Sequence, residues 1–157
     1  METIERIEPR IPNIAGTVPD ALKAMHTLHK AAMALGVPET THMLIHLRVS
    51  QINGCSVCCQ MHDKELRDAG QPDEKIATLA AWREAPYFSA SERAALALAE
   101  AGTRLADRPD PVPDEVWDEA ARLYDDDQLA SLVLSIASIN VWNRLNAITR
   151  QPAGAWA

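Results

Sequence analysis

The sequence predicts an all-α fold, a single-domain bundle of about six to seven helices. Apolar residues recur at helical spacing along most of the chain, and no stretch alternates apolar and polar side chains over a useful strand length. Helix start and stop signals divide the sequence into segments of helical length. Its 157 residues fit one domain with a real core. We therefore expect an irregular N-terminal leader over residues 1–18 and one helical domain over residues 19–150.

Glycines and prolines divide the first half of the domain into four predicted helices. The first begins near Thr17 and Pro19 and is stopped by Gly36 and Pro38, since proline suits a helix start and glycine a helix end. The Asn-Gly pair at 53–54 ends the second helix. The expected bounds are 20–35, about 40–52, 55–69 and 71–85.

The second half opens on a helix rich in Ala and Leu, expected over 89–106, where Ser89 and Glu92 approach a capping box. The Pro-rich stretch 107–114 connects it to two further helices, expected at 114–123 and 128–148. The last of these is apolar around nearly its whole circumference. Such a helix is typical of a bundle centre or of a subunit interface.

Composition excludes some classes of partner. A net charge of −7 and a pI near 5.2 argue against nucleic acid and against anionic membrane surfaces. Residues 1–13 have no apolar core of a signal peptide, and no run is long enough to span a bilayer. We therefore expect a cytoplasmic protein whose thiols are kept reduced, which leaves redox chemistry, metal binding or burial as roles for its cysteines.

All three cysteines lie within five residues, and a histidine follows them in "NGCSVCCQMH". On one helix, Cys55, Cys58, Cys59 and His62 project within roughly 100° of arc. Cys55 lies at the first turn, after Gly54, where unpaired N–H groups and the helix dipole favour a thiolate. His62, four residues after Cys58, can hydrogen-bond that sulfur and take its proton. This geometry predicts a dithiol with a lowered pKa and a built-in base.

Two other interpretations of the cysteine cluster stay open at this point. Cysteine is among the most buried residue types, so the three thiols can fill the inner face of an Ala-rich helix. A zinc site would need the cysteines, His62 and a remote fourth ligand such as His42 or His46. One helix gives poor tetrahedral geometry for zinc, and the chain has no second cysteine pair. Redox chemistry is therefore the favoured interpretation.

The stretches "HLRVSQINGCSVCCQMHDKELRDAG", "WREAPYFSASERAALALAEAGTRL" and "INVWNRLN" resemble the carboxymuconolactone decarboxylase superfamily, specifically its alkylhydroperoxidase D-like branch, over about residues 38–148. The resemblance implies an all-α fold, homo-oligomers and a cysteine pair that cycles between dithiol and disulfide. It places the peroxidatic cysteine at Cys58, the resolving cysteine at Cys55 and the branch's histidine at His62. It also implies that a hydroperoxide is reduced to an alcohol and that a dithiol partner restores the enzyme.

Two positions depart from the pattern of that branch. A glutamate of its proton relay falls on Met43, and a histidine found between the cysteines falls on Val57. His46 lies one turn from Met43 and can stand in as a proton relay, although the favoured interpretation is a half-buried histidine with a satisfied ring. Cys59 is outside the pattern and is expected to be a packing residue.

The leading hypothesis is a thiol-dependent peroxidase whose partners are a small-molecule hydroperoxide and an unidentified dithiol reductant, with no cofactor. One alternative is lactone decarboxylation, the reaction that names the superfamily, but that branch does not depend on a cysteine pair. The other is a non-catalytic, redox-responsive oligomeric protein, which the loss of the glutamate at Met43 keeps open.

Overall fold

The computed structural model describes residues 5–155, and every regular element in that range is helical. Six helices have seven residues or more, so the predicted all-α fold and helix number are confirmed. Residues 1–4 of the expected leader lie outside the described residues. The helices are α1 Ile14–Thr17, α2 Pro19–Ala32, α3 Glu39–Asn53, α4 Ser56–Asp68, α5 Asp73–Ala77, α6 Ala90–Thr103, α7 Asp114–Leu123 and α8 Asp126–Ile148, with single 3₁₀ turns at Leu79–Ala81 and Leu105–Asp107.

The end of the expected irregular leader is helical. Asn13 caps the short helix α1, and its side-chain oxygen accepts a hydrogen bond from the backbone N–H of Gly16. This is the arrangement that makes asparagine a favoured N-cap. The expectation of an irregular segment over 1–18 is therefore wrong for its last turn.

The helix expected over 71–85 is broken after Ala77. Pro86 has no N–H group, so the carbonyl of Trp82 lacks the donor that a continuing helix would supply. The guanidinium of Arg93 donates to that carbonyl at 3.2 Å, and also to the carbonyl of Ala85. The carbonyls of Trp82 and Ala85, which follow the 3₁₀ turn Leu79–Ala81, are therefore paired although no helix continues there. The capping box predicted at Ser89 is confirmed, with both of its hydrogen bonds formed.

Helix α3 contributes to two clusters of buried apolar side chains. The larger cluster is shared with α6, α7 and α8 and includes Ile45 and Val49 of α3. The second is shared with α4, α5 and the following 3₁₀ turn and includes Leu44 and Leu47 of α3. Packing on both sides fixes the helix that leads into the first cysteine.

Helix α8 is the longest helix and packs against α2, α3 and α6. Its inner face carries buried Leu132, Ile136 and Ile139. The central position expected from its composition is therefore confirmed. The helix also presents apolar side chains to solvent, namely Val133, Leu134, Val141 and Ile148. None of the helices between residues 5 and 155 combines the length and apolar character that a membrane span requires.

Candidate active site

The turn between α3 and α4 positions the first cysteine. Helix α3 ends at Gly54, whose φ of 68° lies in the left-handed region that glycine adopts without strain. Asn53 Nδ2 donates to the side-chain oxygens of Asn140 and Asn143, each at 3.0 Å, which ties the turn to α8. Cys55 follows as the N-cap residue of α4. The cysteine pair therefore spans the first turn of the helix, as the sequence predicts.

Cys55 and Cys58 are joined in a disulfide, with their Cα atoms 5.3 Å apart. This distance lies within the usual range for a disulfide, as the dithiol/disulfide pair implied by the resemblance requires. Both residues are buried, but Cys58 lines a cavity between α2, α4 and α8. The structure thus gives the two cysteines different surroundings, and Cys58 is the one that faces the space where a ligand can bind.

The cavity has a volume of about 320 Å³. Since one water molecule occupies about 30 Å³ of liquid, the space suits a small organic molecule of about ten non-hydrogen atoms. Part of the wall is apolar and part carries titratable or hydrogen-bonding groups. The apolar residues are Leu22, Met61, Ile139 and Trp142, and the others are His26, His29, Cys58, His62, Glu65 and Asn146.

His62 is paired with a carboxylate that the sequence analysis missed. Its Nδ1 lies 2.7 Å from Oε2 of Glu65, and the hydrogen bond from His62 holds the pKa of that carboxyl below its usual range. A carboxylate at Nδ1 makes that nitrogen the donor and leaves the lone pair of the neutral ring on Nε2. The i,i+4 spacing predicts a pair between His62 and Cys58 instead. The spacing of His62 and Glu65, three residues apart on a helix, was the signal for the observed pair.

Asn146 is a second residue that the sequence analysis did not identify. Its Nδ2 donates to Cys58 Sγ at 3.4 Å across the interface between α8 and α4. Its Oδ1 is buried and has no hydrogen-bond partner among residues 5–155. The available signal was the recurrence of asparagine every third residue in "INVWNRLN", which places Asn140, Asn143 and Asn146 on related faces of one helix.

All five histidines of the chain lie in one cluster that reaches from the cavity into the core. The ring centroid of His46 lies 5.1 Å from that of His62, 5.0 Å from that of His29 and 6.2 Å from that of His42. The ring of His26 packs on Trp142. His46 is fully buried rather than half-buried, because α8 covers it. Its ring is satisfied, as the favoured interpretation expected, since Nε2 lies 2.8 Å from Ser135 Oγ.

The hydrogen bonds behind His46 fix the tautomers of the two innermost rings. Ser131 donates to the carbonyl of Ala32, so it accepts from His42 Nε2. His42 Nδ1 then accepts from the hydroxyl of Ser135, and Ser135 accepts from His46 Nε2. The remaining lone pair of His46 is on Nδ1.

Burial sets the charge of these two rings. It lowers the pKa of His42 to about 4 and holds the pKa of His46 well below 6.5, with the nearby His62 lowering the latter further. Both imidazoles are therefore neutral at pH 7. A ring whose pKa is held this low is a weak proton acceptor, which disfavours the relay role considered for His46.

Cys59 and Met43 pack away from the cavity. Both contact the second core cluster, which contains Leu44, Leu66 and Trp82. Burial raises the pKa of the Cys59 thiol, which disfavours its thiolate. Cys58 and Cys59 therefore have different surroundings although they lie within the predicted arc of α4, and the packing of Cys59 agrees with the packing role expected for it.

The geometry of the described residues does not support the zinc interpretation of the cysteine cluster. Within the part of the chain that the structure describes, no group of three or more His, Cys, Asp or Glu side chains is arranged to hold a metal ion. His42 and His46, the remote ligands considered for zinc, bond to Ser131 and Ser135 instead.

Three sequence matches bear on the family. The sequence profile of the carboxymuconolactone decarboxylase family matches residues 19–101. The uncharacterized protein YdfG of Bacillus subtilis is 38% identical over 128 residues, which cover 82% of this chain and 86% of that protein. A segment of 43 residues, 27% of this chain, is 51% identical to the alkyl hydroperoxide reductase AhpD of Methylocella silvestris and covers 24% of it.

Two crystal structures have a similar fold. One is a protein of unknown function from Agrobacterium tumefaciens, provisionally described as an antioxidant defence protein AhpD. It superimposes with a TM-score of 0.87 at 33% identity and covers 93% of this chain and 98% of its own. The other is the debrominase Bmp8, with a TM-score of 0.77, 26% identity and coverage of 89% of this chain and 75% of that one.

Proposed function

The chain belongs to the carboxymuconolactone decarboxylase family and to its AhpD-like branch, and from that premise we propose that it is a thiol-dependent peroxidase. One observation carries the proposal. Cys58, which is paired with Cys55, lines a cavity that also contains the His62–Glu65 pair. A nucleophile that is bonded to its resolving partner and a base oriented by a carboxylate therefore line one ligand-sized space.

In the reduced protein, Cys58 attacks as the thiolate. Two features favour that charge, namely its place in the first turn of α4 and the N–H donated by Asn146 Nδ2. His62 accepts the thiol proton on Nε2, and the Glu65 carboxylate stabilises the resulting imidazolium. His62 thus both generates the nucleophile and holds a proton for the leaving group.

The thiolate of Cys58 forms a bond to the terminal peroxide oxygen as the O–O bond breaks. The alkoxide leaves with its electron pair, takes the proton from His62 and departs as the alcohol. The Cys55 thiol then attacks the sulfenic acid on Cys58, so that an S–S bond forms and water leaves. One hydroperoxide and two thiols thus become one alcohol, one water and one disulfide, which an external dithiol reduces by exchange.

The substitution of methionine for the branch's glutamate does not leave the site without a carboxylate. Met43 packs in the second core cluster, whereas Glu65 supplies a carboxylate directly to His62. The ring centroid of His46 lies 5.1 Å from that of His62, but its lowered pKa makes His46 a weak proton acceptor. The Glu65–His62 pair therefore carries the support for a proton relay built from other residues than the branch's glutamate.

A second candidate is reductive removal of a halogen from a small ring. The likeness to the debrominase Bmp8 and a cavity with Trp142 in its wall favour it. Here two thiols and an aryl bromide would give the reduced ring, bromide, a proton and the disulfide. The same cysteine pair would supply both electrons, so the two candidates differ in the electrophile rather than in the thiol chemistry.

Thiol titration with two substrates tests these candidates. The protein is reduced, freed of reductant and mixed with either cumene hydroperoxide or 2,3,4-tribromopyrrole, the compound bound in a crystal structure of a Bmp8 variant. We expect two thiols to disappear for each hydroperoxide consumed and to return with a dithiol, with Cys59→Ser as the matched control. Thiols that persist in excess hydroperoxide would contradict the peroxidase. Bromide release with thiol loss only in tribromopyrrole would establish the second candidate.

A further inference from the structure

We propose that Asn146 binds the hydroperoxide itself, with its Oδ1 accepting the hydrogen bond of the terminal O–H group while its Nδ2 holds the sulfur of Cys58. This inference rests on the proposed peroxidase function. It assigns a substrate-binding residue on α8 to a site whose other reacting groups come from α4. The substrate class that it selects is a hydroperoxide with a free O–H and an apolar body.

The observation behind it is a buried carbonyl oxygen with nothing bound to it. Asn146 is 5% exposed and lines the cavity, and its Oδ1 has no partner in the described part of the chain. Buried polar atoms without a hydrogen bond are rare in native proteins, and each calls for an explanation. A ligand in the cavity that carries an O–H group supplies the missing donor.

The other two asparagines of α8, Asn140 and Asn143, have hydrogen bonds at both the oxygen and the nitrogen of their side-chain amides. Asn143 donates to Ser50 and accepts from Asn53, and Asn140 uses both amide ends in the same way. These two residues hold the turn that precedes Cys55. Asn146 alone of the three faces the cavity, and it alone has an amide end left over.

The amide places its two partners side by side. Standard bond lengths put Nδ2 and Oδ1 of one amide about 2.2 Å apart. Nδ2 lies 3.4 Å from Cys58 Sγ, so a peroxide oxygen bound at Oδ1 lies next to that sulfur. Reacting atoms need to be about 3–3.5 Å apart for attack, and we expect the bound peroxide oxygen to lie at such a distance from Cys58 Sγ. The oxygen held by Asn146 is the one that Cys58 attacks.

The same hydrogen bond persists through the reaction. When the S–O bond forms and the O–O bond breaks, the electron pair goes to the alkoxide, which takes its proton from His62. The hydrogen on the terminal oxygen stays in place and becomes the S–O–H hydrogen of the sulfenic acid on Cys58. Asn146 therefore holds substrate and product alike, while Ile139 and Trp142 offer apolar surface to the alkyl group.

The test compares two reactions of the reduced protein. One is the second-order rate with cumene hydroperoxide, and the other is the rate with methyl methanethiosulfonate, which has no O–H or N–H group. Both rates are measured in a Cys55→Ser, Cys59→Ser background, where Cys58 is the one remaining thiol, so their ratio cancels any effect on its pKa. We expect Asn146→Leu to lower this ratio about 10–100-fold, because the O–H group of the bound hydroperoxide is then left without its one acceptor.

Two further variants make the test specific. Asn146→Asp keeps Oδ1 but loses the donor, so it should lower both rates and preserve the ratio. Asn146→Ala replaces the Leu variant if circular dichroism shows that the latter does not fold. An unchanged ratio in either apolar variant, with a reactive wild type, would overturn the role of Asn146. A wild type that reacts with the thiosulfonate but not with the hydroperoxide would overturn the peroxidase function, and this inference with it.

Discussion

Replacing Ser135 with alanine removes the hydroxyl between two buried histidines. Ser135 Oγ lies 2.9 Å from His42 Nδ1 and 2.8 Å from His46 Nε2, and the residue is 1% exposed. The hydroxyl donates to one ring and accepts from the other. Water does not reach the position, so neither nitrogen regains a partner from solvent. We therefore expect Ser135→Ala to destabilise the fold.

The magnitude follows from the two atoms left unpaired. Each buried donor or acceptor without a partner costs about 1–3 kcal/mol. Two such atoms, with some relaxation of the rings, give a loss of about 2–4 kcal/mol in the free energy of unfolding. For a domain of this size, 1 kcal/mol corresponds to about 2–4 °C in Tm. The variant should therefore melt roughly 5–15 °C below wild type.

Ser138→Ala is the matched control. Ser138 lies one turn further along α8, is equally buried, and its Oγ has no hydrogen-bond partner within residues 5–155. Deleting that oxygen should leave Tm within about 2 °C or raise it slightly, because no hydrogen bond is lost. Thermal and urea unfolding at pH 7, followed by circular dichroism, measure both variants. Equal Tm values for the two variants, or a fall of less than about 0.5 kcal/mol in the unfolding free energy of Ser135→Ala, would show that the hydrogen bonds of Ser135 do not stabilise the fold.

Three further predictions concern the cysteines, pH and assembly. Cys58→Ser should abolish peroxide-dependent thiol loss, and Cys59→Ser should leave its rate within about two-fold, because Cys59 packs in the core. Thiol titration of both variants measures this. Loss of the reaction in Cys59→Ser but not in Cys58→Ser would assign the nucleophile to Cys59. Unfolding free energy should fall by about 1–2 kcal/mol between pH 7 and pH 5, allowing for partial solvent screening. The sign follows because the folded pKa of His42, about 4, lies below its unfolded value of 6.5, so the unfolded chain binds more protons in that interval. Urea unfolding at both pH values measures the change in unfolding free energy. Equal free energies at pH 7 and pH 5 would count against a neutral buried ring. Light scattering at micromolar concentration should give a mass well above the 17.2 kDa of one chain. Val141→Lys, on the exposed apolar face of α8, should lower that mass by placing a charge in the expected interface. A wild-type mass near 17 kDa would exclude the oligomer.

Features set by neighbouring residues were predictable from the sequence. The helix limits near Gly54, the capping box at Ser89 and the proximity of Cys55 and Cys58 all depend on residues within one turn of each other. The pair of His62 and Glu65 belongs to this class too, and its i,i+3 spacing was available but not used.

Features set by packing between distant segments were not predictable. Asn146 meets Cys58 from 88 residues further along the chain, and Ser135 meets His46 across 89 residues. The different surroundings of Cys58 and Cys59 were not predictable for a related reason. Within a single wide helical face, Cys58 turns to the cavity and Cys59 to the second core cluster, and only the packing of α4 between α3 and α8 decides where that face divides.

The central claim is that Cys58 attacks the hydroperoxide and Cys55 resolves the product. It is tested most directly by mass spectrometry of reduced Cys55→Ser treated with one equivalent of cumene hydroperoxide. We expect the variant to gain one oxygen atom, trapped by dimedone and mapped to Cys58, while the wild type instead forms the Cys55–Cys58 disulfide. An unmodified variant, or an oxygen mapped to Cys59, would contradict the account.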